Sequence, residues 1–254
     1  MKIISLNTWG GRAGTQGLLS FFERNEDADV FCLQEIWSAP YEHLEGVKAG
    51  GLEISHEDIM VYGKQEISKL LSSHAYYFAP QHQENYGLMT LIKEEYPVAE
   101  FGEVFVHKHK GFVPIGDVGR HARNVQFVET VHNGKKLNIL NFHGLWNGEG
   151  KRDSEDRILQ SENIAGFLKT LSGDIVFCGD FNLLPDTQSI KIIEDAGMWN
   201  LVKEYGVTST RSSFYTKPEK FADYVFVSSG VEVADFVVMQ DEVSDHLPLC
   251  LEIR

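Results

Sequence analysis

Four apolar runs in this chain each stop at a polar residue of similar chemistry. IISLN ends at Asn7, VFCLQE at Glu35, LNILNFH at His143, and IVFCGDFN at Asp180 and Asn182. Two further runs begin just after such a residue: Asp223 precedes YVFV, and Ser244, Asp245 and His246 precede LPLCLEI. In an antiparallel sheet the start of one strand lies beside the end of its neighbour, so all these positions can share one sheet edge. Carboxylates and amides with few imidazoles are the donor set of a hard cation, Mg²⁺ or Mn²⁺, rather than zinc. Carboxylates packed side by side also repel unless a cation neutralises them. The plainer alternative for any one position is a strand-end turn former, because Asp and Asn favour turns. Glu35 and the two histidines are not turn formers, so the set reads as a site.

The elements that must position these groups are short. Val/Ile/Phe-rich runs bounded by turn residues predict strands at about 2–7, 29–35, 87–93, 98–106, 124–131, 137–143, 174–180, 223–227, 231–238 and 247–253. Helical periodicity appears at 64–73 and at 154–171, where Asp153 is the expected N-cap. A third helix, 187–196, should stop at Gly197. This mixture predicts an α/β fold, two sheets packed together with helices outside. The stretch 37–63 has weak periodicity and several glycines and reads as a long excursion.

At 254 residues, without a linker-like tract, low-complexity segment or repeat, the chain is expected to form one domain. Lys and Arg number 23 against 37 Asp and Glu, a formal net charge of −14. That balance disfavours broad adhesion to nucleic acid or an anionic membrane, but not a grip on a few phosphates through a metal ion. No apolar run approaches the ~20 residues of a membrane span, so no stable membrane association is expected. The N-terminus reads as a strand rather than a leader, which makes a cytoplasmic location the default. Cys32, Cys178 and Cys250 sit in apolar runs without CxxC spacing and are expected as buried free thiols. The oligomeric state is not legible in the sequence, and a monomer is the default.

The ordered pieces LNTWG (6–10), LQE (33–35), RN (123–124), NFH (141–143), GDFN (179–182), DYVF (223–226) and SDHLPL (244–249) resemble the endonuclease/exonuclease/phosphatase superfamily, the deoxyribonuclease-I-like metal-dependent phosphoesterases. LQE alone is a weak signal; the ordered set, closed by SDH, is specific and spans almost the whole chain. The resemblance implies a four-layer α/β sandwich of two mixed, mostly antiparallel sheets. It implies a metal site at Glu35 with Asn7 and Asp245, and Asp180 as the group that aligns or deprotonates the attacking water. Asn182 would orient the water or the phosphate. His246 would contact the scissile phosphate, with Asp223 fixing its tautomer. His143 would hydrogen-bond a phosphate oxygen or protonate the leaving oxygen, and Arg123 and Asn124 would lie on the phosphate side.

These roles fit phosphoryl hydrolysis, which needs an in-line water and charge stabilisation on the phosphoryl oxygens. The expectation is an Mg²⁺- or Mn²⁺-dependent phosphodiesterase acting on nucleic acid or a nucleotide-derived diester. The alternatives are a lipid-headgroup or small-molecule phosphatase of the same fold, and an inactive interaction module. The last would normally lack a site residue, and here all are present.

Three features stay open on sequence alone. The basic island around His107–Lys110 and Arg120–Arg123 either guides a polyanion or is a solvated hairpin. Trp9, Trp37 and Trp146 closely follow site residues and either line a stacking surface or pack as core or rim, whereas Trp199 reads as core. Residues 144–152 (GLWNGEGKR) lack a P-loop ending and read as a mobile rim loop, and 108–120 is a further rim loop.

Overall fold

The computed structural model describes residues 1–254. In chain order its elements are β1 (Lys2–Asn7), α1 (Thr15–Arg24), β2 (Val30–Trp37), β3 (Lys48–Ala49), β4 (Leu52–Glu53), α2 (Gly63–Leu70), β5 (His74–His82), β6 (Tyr86–Lys93), β7 (Val98–His107) and β8 (Arg123–His132). They continue with β9 (Lys135–His143), α3 (Glu155–Leu168), β10 (Asp174–Asp180), α4 (Gln188–Asp195), β11 (Met198–Asn200), α5 (Leu201–Glu204), β12 (Asp223–Ser228), β13 (Val233–Val238) and β14 (Leu249–Ile253).

Two six-stranded sheets form, in the orders β13-β14-β1-β2-β6-β5 and β11-β12-β10-β9-β8-β7. Each has one parallel pair at its centre, β1 with β2 and β9 with β10, and its other pairs are antiparallel. Each parallel pair needs a crossover, supplied by α1 in the first sheet and α3 in the second. Period-two alternation decides the faces. Ile4 and Leu6 of β1 and Phe31 and Leu33 of β2 pack with Leu18, Phe21 and Phe22 of α1. Ile3, Val30 and Cys32 join the larger cluster that runs through both sheets to Ile164 and Leu168 of α3 and Ile190 and Ile193 of α4. The result is the expected four-layer α/β sandwich.

The register brings the predicted groups to one edge. Asn7 ends β1, His143 ends β9 and Asp180 ends β10, while Asp223 begins β12 and Asp245 and His246 lie a few residues before β14. Asp180 pairs with His143 on one side and Asp223 on the other. Gly179 is required here: its φ of +143° and close approach to the Phe142 carbonyl leave no room for a Cβ.

Several expectations are corrected. Ser154, not Asp153, caps α3 by accepting from the Arg157 N–H. Asp153 instead receives the N–H groups of Gln188 and Ser189 at the start of α4. Trp199 is 62 % exposed, because β11 is an edge strand and its side chain faces outward. The excursion 37–63 carries its own small core of Trp37, Tyr41, Leu44, Ile54 and Ile59. The three cysteines are free and buried, as expected. No helix is long and apolar enough to cross a membrane.

Candidate active site

Motif residues first lock the two sheets together. Gln34 of LQE donates to Asn141 Oδ1 of NFH at 2.7 Å, and Asn141 donates to the Leu33 carbonyl and Gln126 Oε1. Thr90 completes the buried network by donating to Gln126 Oε1 at 2.7 Å. Such a network fixes inter-sheet register, since a slip would strand buried polar groups. Glu35, next to Gln34, and His143, two residues past Asn141 on the same face of β9, are thereby brought to one place. His143 Nε2 lies 3.8 Å from both Glu35 Oε1 and Asp180 Oδ2.

Glu35 sits at φ +59°, where β2 bulges against β6. The Asn7 amide donates to Glu35 Oε1 at 3.1 Å and to Asp180 Oδ2 at 3.0 Å. Asn7 Oδ1 accepts the Trp9 N–H. Asn7 therefore ties the two carboxylates together. Burial pushes the Glu35 carboxyl up, as do the nearby Asp245 and Asp180 carboxylates, against the lowering effect of Asn7. Asp245 accepts from Arg211 Nη1 through Oδ2 at 3.0 Å, while its buried Oδ1 has no partner. Glu35, Asp180 and Asp245 line one cavity, and as hard oxygen donors, one with an unpartnered oxygen, they fit Mg²⁺ or Mn²⁺ by chemistry.

Asp180, Asp223 and His246 also bring ligand atoms within 4.8 Å of one another. That trio is better read as a hydrogen-bonded relay. Asp223 holds His246 Nδ1 with both oxygens, at 2.8 and 2.9 Å, and Oδ2 also accepts from Thr210 at 2.9 Å. His246 Nε2 is then turned toward Asp180, 3.5 Å from Oδ2. Burial and Arg211 push the imidazole pKa down, but Asp223, Asp245 and Asp180 outweigh them and leave it raised. Burial alone would raise the Asp180 carboxyl; His246, Lys151, His143 and Arg211 instead hold it well below the usual carboxylate range. Burial pushes the His143 imidazole down, and Arg123 adds to this.

Two cations were not legible in the sequence. Lys151, read as part of a mobile rim loop, is buried and donates to Asn182 Oδ1 at 2.8 Å. Burial, then Arg211, pushes its amine down to about 8. Arg211, in a polar stretch with no periodic signal, is held flat against the His246 segment by an isolated bridge and stacks on Tyr215. Asn182 sits at φ +55°, with its N–H donating to Asp180 Oδ1. Arg123 lines the same cavity, but Asn124 does not: its amide is taken by the Pro80 carbonyl and Glu103. Strand alternation separates the two, and Asn124 leaves the expected phosphate side.

The cavity measures about 380 Å³, within the range of small-molecule sites. Trp9, Trp37 and Trp146 line it, as do the three rim segments expected from the sequence. Those segments are fastened to one another. Asp117 accepts the N–H groups of Gly50, Gly51 and Gly119, and Arg120 donates to the Asn147 carbonyl.

The chain matches the pattern of the Endonuclease/Exonuclease/phosphatase family over residues 4–246 and belongs to that family. It shares its fold with the Bacteroides thetaiotaomicron mannosyl-6-phosphatase Bt3783, at 15% identity and a TM-score of 0.73, covering 100% of this chain and 99% of that one. It is similarly close to a humanized D. rerio TDP2, at 17% identity and a TM-score of 0.72, covering 100% and 98%. D. rerio TDP2 complexed with single strand DNA product matches at 18% identity and a TM-score of 0.70, covering 100% and 98%. No curated protein sequence matches the chain.

Proposed function

We propose that this chain is one catalytic domain, an Mg²⁺- or Mn²⁺-dependent phosphodiesterase that hydrolyses a nucleic-acid or nucleotide-derived diester by in-line attack of water. The observation that carries this reading is the opposition of two differently tuned groups. Asp180 is held anionic beside His246, whose proton is held by Asp223. A divalent ion at Glu35, Asp180 and Asp245 would polarise the phosphoryl group and neutralise developing charge.

Asp180 aligns the water and accepts its proton, its own orientation fixed by the Asn182 N–H and the Asn7 amide. As the water oxygen bonds to phosphorus and the ester P–O bond breaks, His246 Nε2–H donates to a phosphoryl oxygen, and the departing oxygen leaves as the alcohol by taking up a proton from solvent while Asp180 releases to solvent the one it removed from the water. Neutral His143 faces the same place as a further hydrogen-bonding group. Asn182, steadied by Lys151, orients the phosphate. The fastened rim and limited volume favour a single-stranded end or compact diester over a duplex lying across the surface. Buried free thiols accord with a cytoplasmic, reducing compartment.

The test is hydrolysis of single- and double-stranded DNA, RNA, an abasic duplex, an aryl diester, an inositol phosphate and a phospholipid with Mg²⁺, Mn²⁺ or EDTA. Asp180→Asn should lower kcat by about 10³-fold or more while leaving the fold intact. Activity that persists in EDTA, or an Asp180→Asn enzyme at full rate, would overturn the reading. Preference for the inositol phosphate or the phospholipid would place it among phosphatases acting on small molecules or headgroups.

A further inference from the structure

Part of the cavity wall is made of His82, His121 and Arg123. All three are buried, at 4 %, 4 % and 1 % exposure. They are also short of partners. Both ring nitrogens of His82 are unpartnered, and so are Nε and Nη1 of Arg123. Only Arg123 Nη2 is satisfied, by the Gly119 carbonyl at 2.8 Å. His121 Nδ1 faces the Ala122 carbonyl at 2.8 Å, which leaves its Nε2 free of the backbone. The His82 and His121 rings lie 5.7 Å apart, and His121 is 6.4 Å from His143.

Leaving a buried guanidinium and imidazole without partners costs free energy unless something else meets them. Three histidines lie near one another, but their ligand atoms do not converge within 4.8 Å as those of Asp180, Asp223 and His246 do. Arg123 between them would also repel a cation. A guanidinium with two free donor positions beside imidazoles is the chemistry of a phosphate site.

We propose that His82, His121 and Arg123 form a second anion subsite, which holds a phosphate group of the substrate other than the one hydrolysed. This deepens the phosphodiesterase reading and rests on it. Arg123 is the fixed charge of the subsite. His82 supplies one N–H in either tautomer. Burial pushes both the His82 and the His121 imidazoles down, so they are neutral when the subsite is empty. An arriving dianion favours their protonated forms, and binding should draw protons from solution.

The first experiment needs no turnover. Inorganic phosphate is titrated calorimetrically into the EDTA-treated protein in two buffers of different ionisation enthalpy. Wild type should bind with net proton uptake. Affinity should fall about tenfold or more in His82→Ala and Arg123→Met, and fall less in His82→Gln, which keeps a donor. His246→Gln is the control for binding at the scissile position. Equal affinity in His82→Ala and wild type, or loss in His246→Gln alone, would overturn the subsite.

The second experiment compares substrates that differ by one phosphate, with Mn²⁺ present. A 5′-phosphorylated dinucleotide is set against its 5′-hydroxyl form, and a sugar bisphosphate against the monophosphate. The ratio of kcat/KM within the preferred pair should be about 10 or more in wild type and collapse toward 1 in His82→Ala. The pair with the larger ratio identifies the source of the second phosphate. A wild-type ratio near 1 in both pairs would overturn the proposal. Phosphate binding without hydrolysis of any substrate would instead sink the phosphodiesterase reading and leave the anion subsite standing.

Discussion

Two sets of residues in the cavity wall differ in construction. Around Asp180 the catalytic groups are held by one another: Asn7 joins Glu35 to Asp180, Asp223 grips His246, Lys151 steadies Asn182, and Arg211 faces Asp245, while His143 Nδ1, Asp245 Oδ1 and Arg211 Nε stay unpartnered. Around His82 and Arg123 the polar atoms are just as buried but largely unengaged. The first pattern suits groups that must be in position before a substrate arrives, because preorganised dipoles need no rearrangement during the reaction. The second suits groups whose partner is the ligand. Substitutions should therefore act differently in the two sets, on rate and stability in the first and on substrate choice in the second.

The largest effect belongs to the engaged set. His246→Ala should lower kcat/KM by about 10³-fold, and Asp223→Asn by about 10²-fold or more, since the latter leaves the imidazole with the wrong hydrogen-bond partner. Steady-state kinetics decide this. A loss confined to KM would mean that His246 binds substrate without acting in the transition state. Arg211→Met comes next, through stability. Arg211 and Asp245 side chains are 5 % and 12 % exposed, and removing the guanidinium leaves a buried carboxylate uncompensated. Urea unfolding should show a loss of about 3 kcal/mol, partly restored by excess Mn²⁺. A loss below about 1 kcal/mol would show that Asp245 does not depend on Arg211.

How much of this was legible in the sequence follows the same division. Strand β10 was read at its observed bounds because an apolar run is closed by Gly179 and Asp180, and the pairing of β10 with β9 and β12 then placed His143 and Asp223. The groups at strand ends carry local signals. Strand β5 was missed because it is an edge strand with Pro80 inside it and no clean alternation. Helix α1 was missed because Gly17 interrupts a short, weakly polar stretch. Lys151, Arg211 and His82 stand in turn-like sequence, and their burial comes from tertiary packing, to which single-sequence periodicity is blind. The basic island proved to be two things: Lys108 and Lys110 are exposed, whereas His121 and Arg123 are buried in the cavity wall.

Lys151 offers a pH test with a defined sign. Its amine, pushed down to about 8, is charged in the folded protein below that pH and neutral above it. As it loses its proton, Asn182 loses a charged donor, so kcat/KM should fall along an alkaline limb near pH 8. Lys151→Arg should move that limb upward by a unit or more, because a guanidinium stays protonated. Stability should run the other way. An unfolded lysine titrates near ~10.4, so between about 8 and ~10.4 the unfolded chain binds more protons and stability from this group rises with pH. Lys151→Met should remove that rise. An alkaline limb unchanged in Lys151→Arg would assign it to another group.

The smallest effect should come from Asp117, which belongs to neither set. Its carboxylate holds the Gly50, Gly51 and Gly119 N–H groups at 2.8, 2.9 and 2.8 Å, fastening two rim segments at the cavity mouth. Gly119 itself offers its carbonyl to Arg123, so the staple also steadies the cation of the unengaged set. Asp117→Ala should cost about 1–2 kcal/mol locally, and hydrogen exchange should quicken at Gly50, Gly51 and Gly119 but not at strand β10. Turnover of a small aryl diester should change by less than about threefold, since Asp180, His246 and Lys151 keep all their partners. Selection between substrates with and without a second phosphate should weaken, because Arg123 loses its anchor. If aryl-diester turnover falls as steeply as in His246→Ala, the two sets are one mechanical unit and the contrast between them fails.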